Sequence, residues 1–385
     1  MKSKIYFPGL NGVRFIAVFI VMIDHLELFK GYFNFRSLWP ESYSSHLGSL
    51  GVTIFFVLSG YLITYLLLSE KKEFGLISIK NFYIRRILRI WPLYFILMFL
   101  GFFVLPNIDL FYVPVNQNVN IDFWGKFGLF FFLLANAAFV FYPVVAFAGV
   151  LWSVAVEEQF YLFWPHIIKK SRNILLALVC CLLLYMLIKA FLYFDIFHIT
   201  SYLHKRSYAF VNRTRFSSMI IGGLGAFIVF KNNEFVRKIY LNIIIQIISL
   251  VFFLLLLLNM IKFPHFEFLR NEFTSCVVII LIINISTNAK SLIKLENKYF
   301  DFLGKISYGM YIYHSIFAVL SVKMFSFCYS PAGWNYMLWS LIVFISTFLL
   351  TIFISHISYK FLESKILRMK IKYSSIQSGD MVEKV

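Results

Sequence analysis

Charge is scarce in this 385-residue chain: Asp, Glu, Lys and Arg make up 14% of it, against 61% hydrophobic residues. A soluble domain is roughly half apolar and a quarter charged, so this composition excludes one. Acidic residues are the scarcest, 18 against 36 Lys and Arg, for a net charge of +18. In a soluble chain that excess would point to nucleic acid. Here no separate basic domain exists, and basic loops facing anionic membrane lipid are the better account; no nucleic-acid partner is expected. Cysteine is limited to Cys180, Cys181, Cys276 and Cys328, all in or beside apolar segments and without metal-ligand spacing. No resident metal is expected, and the redox compartment stays open. Missing altogether are a G-x-S-x-G elbow, a Walker A loop, G-x-G-x-x-G and H-E-x-x-H. Hydrolase, ATPase, dinucleotide and zincin chemistries therefore lack support.

What is present is apolar sequence in runs of about 20 residues, the length that crosses a bilayer as a helix. Candidate spans fall near 12–30, 50–69, 88–106, 127–145, 150–168, 173–194, 216–231, 239–260, 273–289, 302–323 and 335–359. The opening Lys2 and Lys4 mimic a signal peptide, but Asp24, His25 and Glu27 follow without a cleavage site, so the first run reads as a retained helix. With the N-terminus cytoplasmic, the basic loop at 70–89 lies inside and the loop at 107–125, free of Lys and Arg, lies outside. The later basic clusters fall inside only if 127–168 crosses once, which makes one of its two runs re-entrant. The expected fold is an all-α integral membrane protein. It is a bundle of about ten transmembrane helices with one re-entrant segment, both termini being cytoplasmic. Residue 117 then lies outside. A single transmembrane domain should fill residues 1–368, and 369–385 should be a short cytoplasmic tail that frays. The loop at 195–215 resists this pattern: it falls outside yet holds Lys205, Arg206, Arg213 and Arg215. Either the positive-inside rule is only statistical there, or that surface meets an anionic acceptor.

Ionisable residues inside spans are costly and mark candidate sites. Arg14 and His25 stand eleven positions apart on the first helix, within about 20° of one face and ~16 Å apart along it. They offer a cation for an anion and an imidazole for proton transfer; equally, they fit a helix-end anchor and a bundle-bonded histidine. Asp24 adjoins His25. Arg86 and Arg89, with Arg85 beside them, share a face at the basic boundary. Their guanidinium forks suit phosphate, although lipid anchoring accounts for them as well. In LWSVAVEEQFYLFWP, Ser153 and Glu157 share a face and Glu158 points elsewhere. Carboxylates there are paired with an arginine or face water, and one that orients a histidine is a recurrent catalytic arrangement. Ser307 and His314 share a face of a Tyr-rich run, where a hydrogen-bonded core role for His314 is favoured over a second acid or base. Gly51, Ser59 and Gly60 read as close helix packing.

These elements together resemble the acyltransferase-3 family of bacterial membrane acyltransferases. The resemblance rests on Arg14 to His25 (R-x10-H), Arg86 to Arg89 (R-x-x-R) and Ser153 to Glu157 (S-x3-E). FFVLSGYLI at 55–63, VEEQFYLFWP at 156–165 and SYGMYIYH at 307–314 follow in order. It covers essentially the whole chain and implies a ten-helix protein of the bacterial inner membrane. The implied reaction carries an acyl group, often acetyl, from cytoplasmic acyl-CoA to a sugar hydroxyl of O-antigen lipopolysaccharide, exopolysaccharide or peptidoglycan. Acyl-CoA is then a co-substrate, with no permanently bound cofactor; a glycan or glycolipid and membrane lipid are the other partners. It also implies His25 as base or acyl carrier, Glu157 as its orienting carboxylate, and Arg14, Arg85, Arg86 and Arg89 as phosphate ligands. Asp24, Ser153, Glu158, Ser307 and His314 are left as substrate-site or structural residues. Many members carry an appended hydrolase-like domain; this chain looks like the stand-alone type. The competing reading is a multi-spanning transporter or flippase for a glycan or small anion, since intramembrane Arg, His and Glu also mark transport paths.

Overall fold

The computed structural model describes residues 4–114, 122–195, 202–264, 266–329 and 333–378; position 117 and the chain after 378 lie outside them. These residues are helical almost throughout. Helix α1 (Leu10–Tyr32) starts after Gly9, whose φ of +72° and contact with Ile285 leave no room for a side chain. α2 (Glu41–Phe74) is closed by Gly75 at φ +70°, a left-handed C-terminal cap. α3 (Ile79–Phe99) continues through a π-helical turn at Leu100–Val104. α4 (Phe123–Phe131), α5 (Ala135–Phe141) and α6 (Leu151–Lys170) follow. Next come α7 (Ile174–Tyr193), α8 (Tyr202–Thr214), α9 (Phe216–Lys231) and α10 (Glu234–Tyr240). After α11 (Ile243–Leu257) and α12 (Arg270–Thr287) the chain forms α13 (Lys298–Lys305) and α14 (Ser307–Met324). α15 (Gly333–Ser358) runs through a second π turn, Tyr359–Glu363, into α16 (Ser364–Lys372). Two-residue strands β1 (Lys4–Ile5) and β2 (Gln377–Ser378) pair in parallel. Both ends of the described chain therefore meet at one end of the bundle.

α2 is the central helix, packed between α1 and α9. Gly60 lies on the backbone of Met219, and Gly222 lies on the carbonyl of Val57. A methyl group at either would collide with main chain, so α2 and α9 touch backbone to backbone. Small residues do this work in a membrane, where lipid removes the hydrophobic drive between helices. α7 behaves oppositely: Leu183, Leu184 and Leu187 are 57%, 61% and 67% exposed, an apolar face for lipid to cover.

Among the described residues six helical segments are long and apolar enough to cross a membrane, or seven if the bent pair α10 and α11 forms one span. The chain is a multi-pass helical membrane protein by this measure, which does not confirm the expected ten crossings. α1, α6 and α14 have the length but fall outside the count because each carries polar residues: Arg14, Asp24, Glu27 and Lys30 in α1, Glu157, Glu158 and Gln159 in α6, His314 and Lys323 in α14. The run at 127–145 is two short helices, α4 and α5, broken near Leu133 at φ +59°. The stretch at 195–215 is not a loop over its described part: α8 fills it and passes into α9 through Arg215 at φ +44°. Nor does the described chain fray between Lys360 and Ser378. α16 runs across position 368, and Lys370, Ser374 and Ile376 are buried.

Candidate active site

Two chambers occupy the bundle between α1, α2, α6 and α14, and they share one wall. The first comprises cavities of about 140 and 90 Å³, both lined by Arg14, Leu62, Ile63, Arg86 and Arg89. Glu157, Ser153, Ser59 and Ser307 line its deeper part, while Tyr6 and Lys370 line its mouth. We call it the arginine chamber. The second, of about 830 Å³, is lined by Asp24, His25 and Glu27 of α1, and by Arg213 and Arg215. We call it the histidine chamber. Tyr311 and Val52 line both and form the partition. The Tyr311 hydroxyl is held there by Ser153 Oγ at 2.6 Å.

Arg86 lies over the rings of Phe82 and Tyr161, at 5.7 and 5.6 Å, and its buried Nε has no hydrogen-bond partner. Arg14 donates to Asn11 Oδ1 at 2.8 Å. The guanidinium groups of Arg14, Arg86 and Arg89 thus line one chamber, an arrangement suited to an anion. Glu157 accepts from Ser59 Oγ at 2.9 Å and from Tyr161 OH at 3.1 Å. Glu158 turns away, accepting from Trp91 Nε1 at 2.8 Å. Ser307 donates to the Gly304 carbonyl at 2.7 Å.

Arg85 is not gathered with its neighbours. It donates to Glu70 Oε2 at 3.2 Å and to the Tyr373 carbonyl at 2.8 Å. Adjacent helical residues point about 100° apart, so only one of Arg85 and Arg86 can face the chamber. Lys370, which the sequence pattern did not single out, lines the mouth together with the arginines; it lies on the final helix, far from them in sequence.

Asp24 and His25 face the histidine chamber beside each other. His25 Nδ1 lies 2.6 Å from His314 Nε2, and the two rings are nearly coplanar at 8°. That nitrogen contact is closer than stacked faces can approach, so the rings are joined edge to edge. His314 Nδ1 lies 3.2 Å from the Met310 carbonyl, which can only accept. The hydrogens follow from this network. With a proton on His314 Nδ1, its Nε2 must accept from His25 Nδ1–H. The lone pair of His25 is then on Nε2, 3.9 Å from Asp24 Oδ2. Asp24 is in turn lodged against Gly48, where any side chain would meet its carboxylate.

Glu157 does not orient His25, as the sequence had led us to expect. The two line different chambers, and the group that fixes the imidazole is His314, with Asp24 beside it. His314 is buried and bonded, as expected of a core histidine, but its bond sets the tautomer of His25. Tyr311, three residues before His314 and so on the same face, was also not singled out.

A family model described as "Acyltransferase domain" matches residues 7–356 of the chain. A Staphylococcus aureus (strain COL) protein, provisionally named an O-acetyltransferase, is 29% identical over 391 residues, 96% of this chain and 59% of the relative. The peptidoglycan O-acetyltransferase OatA of Listeria monocytogenes is 28% identical over 387 residues, 94% of this chain and 56% of its own length. The O-acetyltransferase OatA of Staphylococcus aureus (strain NCTC 8325) is 29% identical, covering 97% and 59%. The chain therefore spans less than two thirds of the length of these relatives. No solved structure matches it.

Proposed function

The chain belongs to the acyltransferase family whose domain matches residues 7–356, and from that premise we propose that it is a membrane O-acyltransferase. It moves an acyl group, acetyl in the first instance, from cytoplasmic acyl-CoA to a hydroxyl of a cell-surface or lipid-linked glycan. The name of the Listeria relative makes peptidoglycan the first acceptor to test. The observation that carries the reading is the shared wall: a chamber of arginines and a chamber with a histidine lone pair meet at Tyr311 and Val52.

The donor's phosphates would rest on Arg14, Arg86 and Arg89, with Lys370 at the mouth, and its pantetheine arm would run towards the partition. The acceptor hydroxyl would enter the histidine chamber. Its oxygen attacks the thioester carbonyl while His25 Nε2 takes its proton; the carbon–sulfur bond breaks, and the thiolate leaves and is reprotonated. The new imidazolium N–H faces Asp24, and the Nδ1–H···His314 bond holds the ring throughout. A general base of this kind contributes typically about 10²–10⁴-fold. Thioester to ester needs no other energy source. Donor and acceptor come from opposite sides of the membrane, which accounts for a site split into two chambers.

Both termini are placed at the cytoplasmic face of the bacterial plasma membrane, from the distribution of Lys and Arg. Reporter fusions at the C-terminus and at position 117 should report opposite sides; agreement between them would reject this orientation. For the activity, purified protein is supplied with radiolabelled acetyl-CoA and a peptidoglycan-derived oligosaccharide. Label should reach the glycan with wild type and not with His25→Gln. A protein that carries glycan across proteoliposomes without labelling it would be a flippase instead.

A further inference from the structure

Resting on that acyltransferase reading, we infer that the acceptor bound in the histidine chamber is an anionic glycan, whose carboxylate or phosphate is held by Arg213. Arg213 lines the chamber and lies on the ring of Phe139 at 4.5 Å. A ring face engages a guanidinium without using its N–H donors, which remain available in its plane. Among the described residues Arg213 has no hydrogen bond and no carboxylate within salt-bridge distance. The other cation and the Glu27 carboxylate of the chamber are largely committed. Glu27 takes two bonds from Lys30, at 2.9 and 3.1 Å, and further bonds from Ser37 Oγ and the Leu38 amide. Arg215 spends both terminal nitrogens on the Ser49 carbonyl, Ser49 Oγ and Thr53 Oγ1 at 2.9–3.0 Å, leaving only its Nε without a partner. Asp24 sits beside His25.

The backbone has been bent to present this cation. In a continuous helix, residues 213 and 215 would point about 200° apart. The left-handed conformation of Arg215, φ +44°, interrupts α8 and α9 so that both arginines line one chamber. A non-glycine residue in that region is strained, and such strain clusters at functional sites. A planar guanidinium with free paired donors matches a carboxylate or a phosphate in bidentate fashion. The acceptor hydroxyl must reach His25 in the same chamber, so the anion belongs to the acceptor.

The test is binding of three soluble oligosaccharides to the detergent-purified full chain, by calorimetry at low ionic strength. They are neutral chitotetraose, the tetrasaccharide alternating N-acetylglucosamine with N-acetylmuramic acid, and chitotetraose bearing a reducing-end phosphate. At least one anionic oligomer should bind about tenfold or more tightly than the neutral one, the size of a charge-assisted contact; which one it is identifies the anion. Arg213→Gln should remove that advantage and Arg213→Lys should keep part of it, with unchanged thermal unfolding as the control for folding. Equal binding of charged and neutral oligomers, binding of none, or an advantage that survives Arg213→Gln would overturn the inference. Acetyl transfer measured in parallel separates it from the underlying reading. Efficient transfer to neutral and anionic acceptors alike would leave the acyltransferase standing and reject the anion site. Charge-selective binding lost in Arg213→Gln, without transfer to any acceptor, would do the reverse.

Discussion

The arginine chamber and the histidine chamber sit back to back on the same helices but are built differently. The first is narrow, about 140 and 90 Å³, and apart from Tyr6 and Lys370 at its mouth its polar groups come from long helices whose own periodicity sets them on one face. The second is several times larger, about 830 Å³. It is walled partly by short or interrupted elements, α5 and the junction of α8 with α9. A narrow chamber lined by cations suits one invariant partner, a flexible arm ending in phosphates. A roomy one, with a single base held by a fixed relay and an unspent arginine, suits a bulky acceptor.

The comparison predicts that substitutions in the two chambers separate kinetically, and the largest expected effect is at the base. His25→Ala should lower kcat for transfer by about 10²–10⁴-fold while leaving CoA binding intact. A variant within threefold of wild type, at equal membrane abundance, would take His25 out of the chemistry. Next, His314→Ala should cost about 10–100-fold in kcat, by analogy with outer-shell partners that fix a histidine tautomer. A structural histidine would instead reduce the amount of folded protein and spare the kcat of what remains.

In the arginine chamber the change should appear in KM. Arg86→Ala or Arg89→Ala should weaken acyl-CoA binding by about 1.5–3 kcal/mol, seen as a raised KM for acyl-CoA because phosphate lies far from the reacting carbonyl. Lysine should rescue only in part, since an ammonium keeps the charge but loses the fork. Full rescue by lysine, with any defect confined to membrane abundance, would make the pair a lipid anchor. The smallest effect on KM, less than about threefold, is expected for Arg85→Ala, because its donors are spent on Glu70 and Tyr373. That variant should lower thermal stability instead, since it strands the buried Glu70 carboxylate. A KM change matching that of Arg86→Ala would erase the distinction between the neighbouring arginines.

Much of this molecule was legible in one dimension. Scarce charge and apolar runs of spanning length declared a helical membrane protein, because a bilayer demands that backbone polar groups be satisfied within each helix. The pairs Arg86–Arg89 and Ser153–Glu157 could be placed on shared faces from their spacing, and each pair does line the arginine chamber. Arg14 and His25 do lie on one helix, α1, but rather than serving one shared site they open into different chambers. Helical periodicity is local, so residues within a few turns report their mutual geometry directly.

Tertiary structure alone decided the rest. His25 finds its partner 289 positions away, and no spacing rule reaches that far. Whether Arg85 or Arg86 faces the chamber depends on which stripe of α3 is packed and which is captured by Glu70 and the chain near Tyr373. Glu157 and His25 were expected to meet because a carboxylate that orients a histidine is a recurrent catalytic arrangement. Burial requires that each be satisfied but does not say by whom, and Ser59 and Tyr161 answer for one, His314 for the other. The span count is left unconfirmed for a related reason: α1, α6 and α14, which carry much of the site, are too polar to stand out as apolar spans. Arg213 reaches the histidine chamber through a left-handed residue at Arg215. A non-glycine side chain gives no sign of adopting that conformation until the packing around it compels the bend.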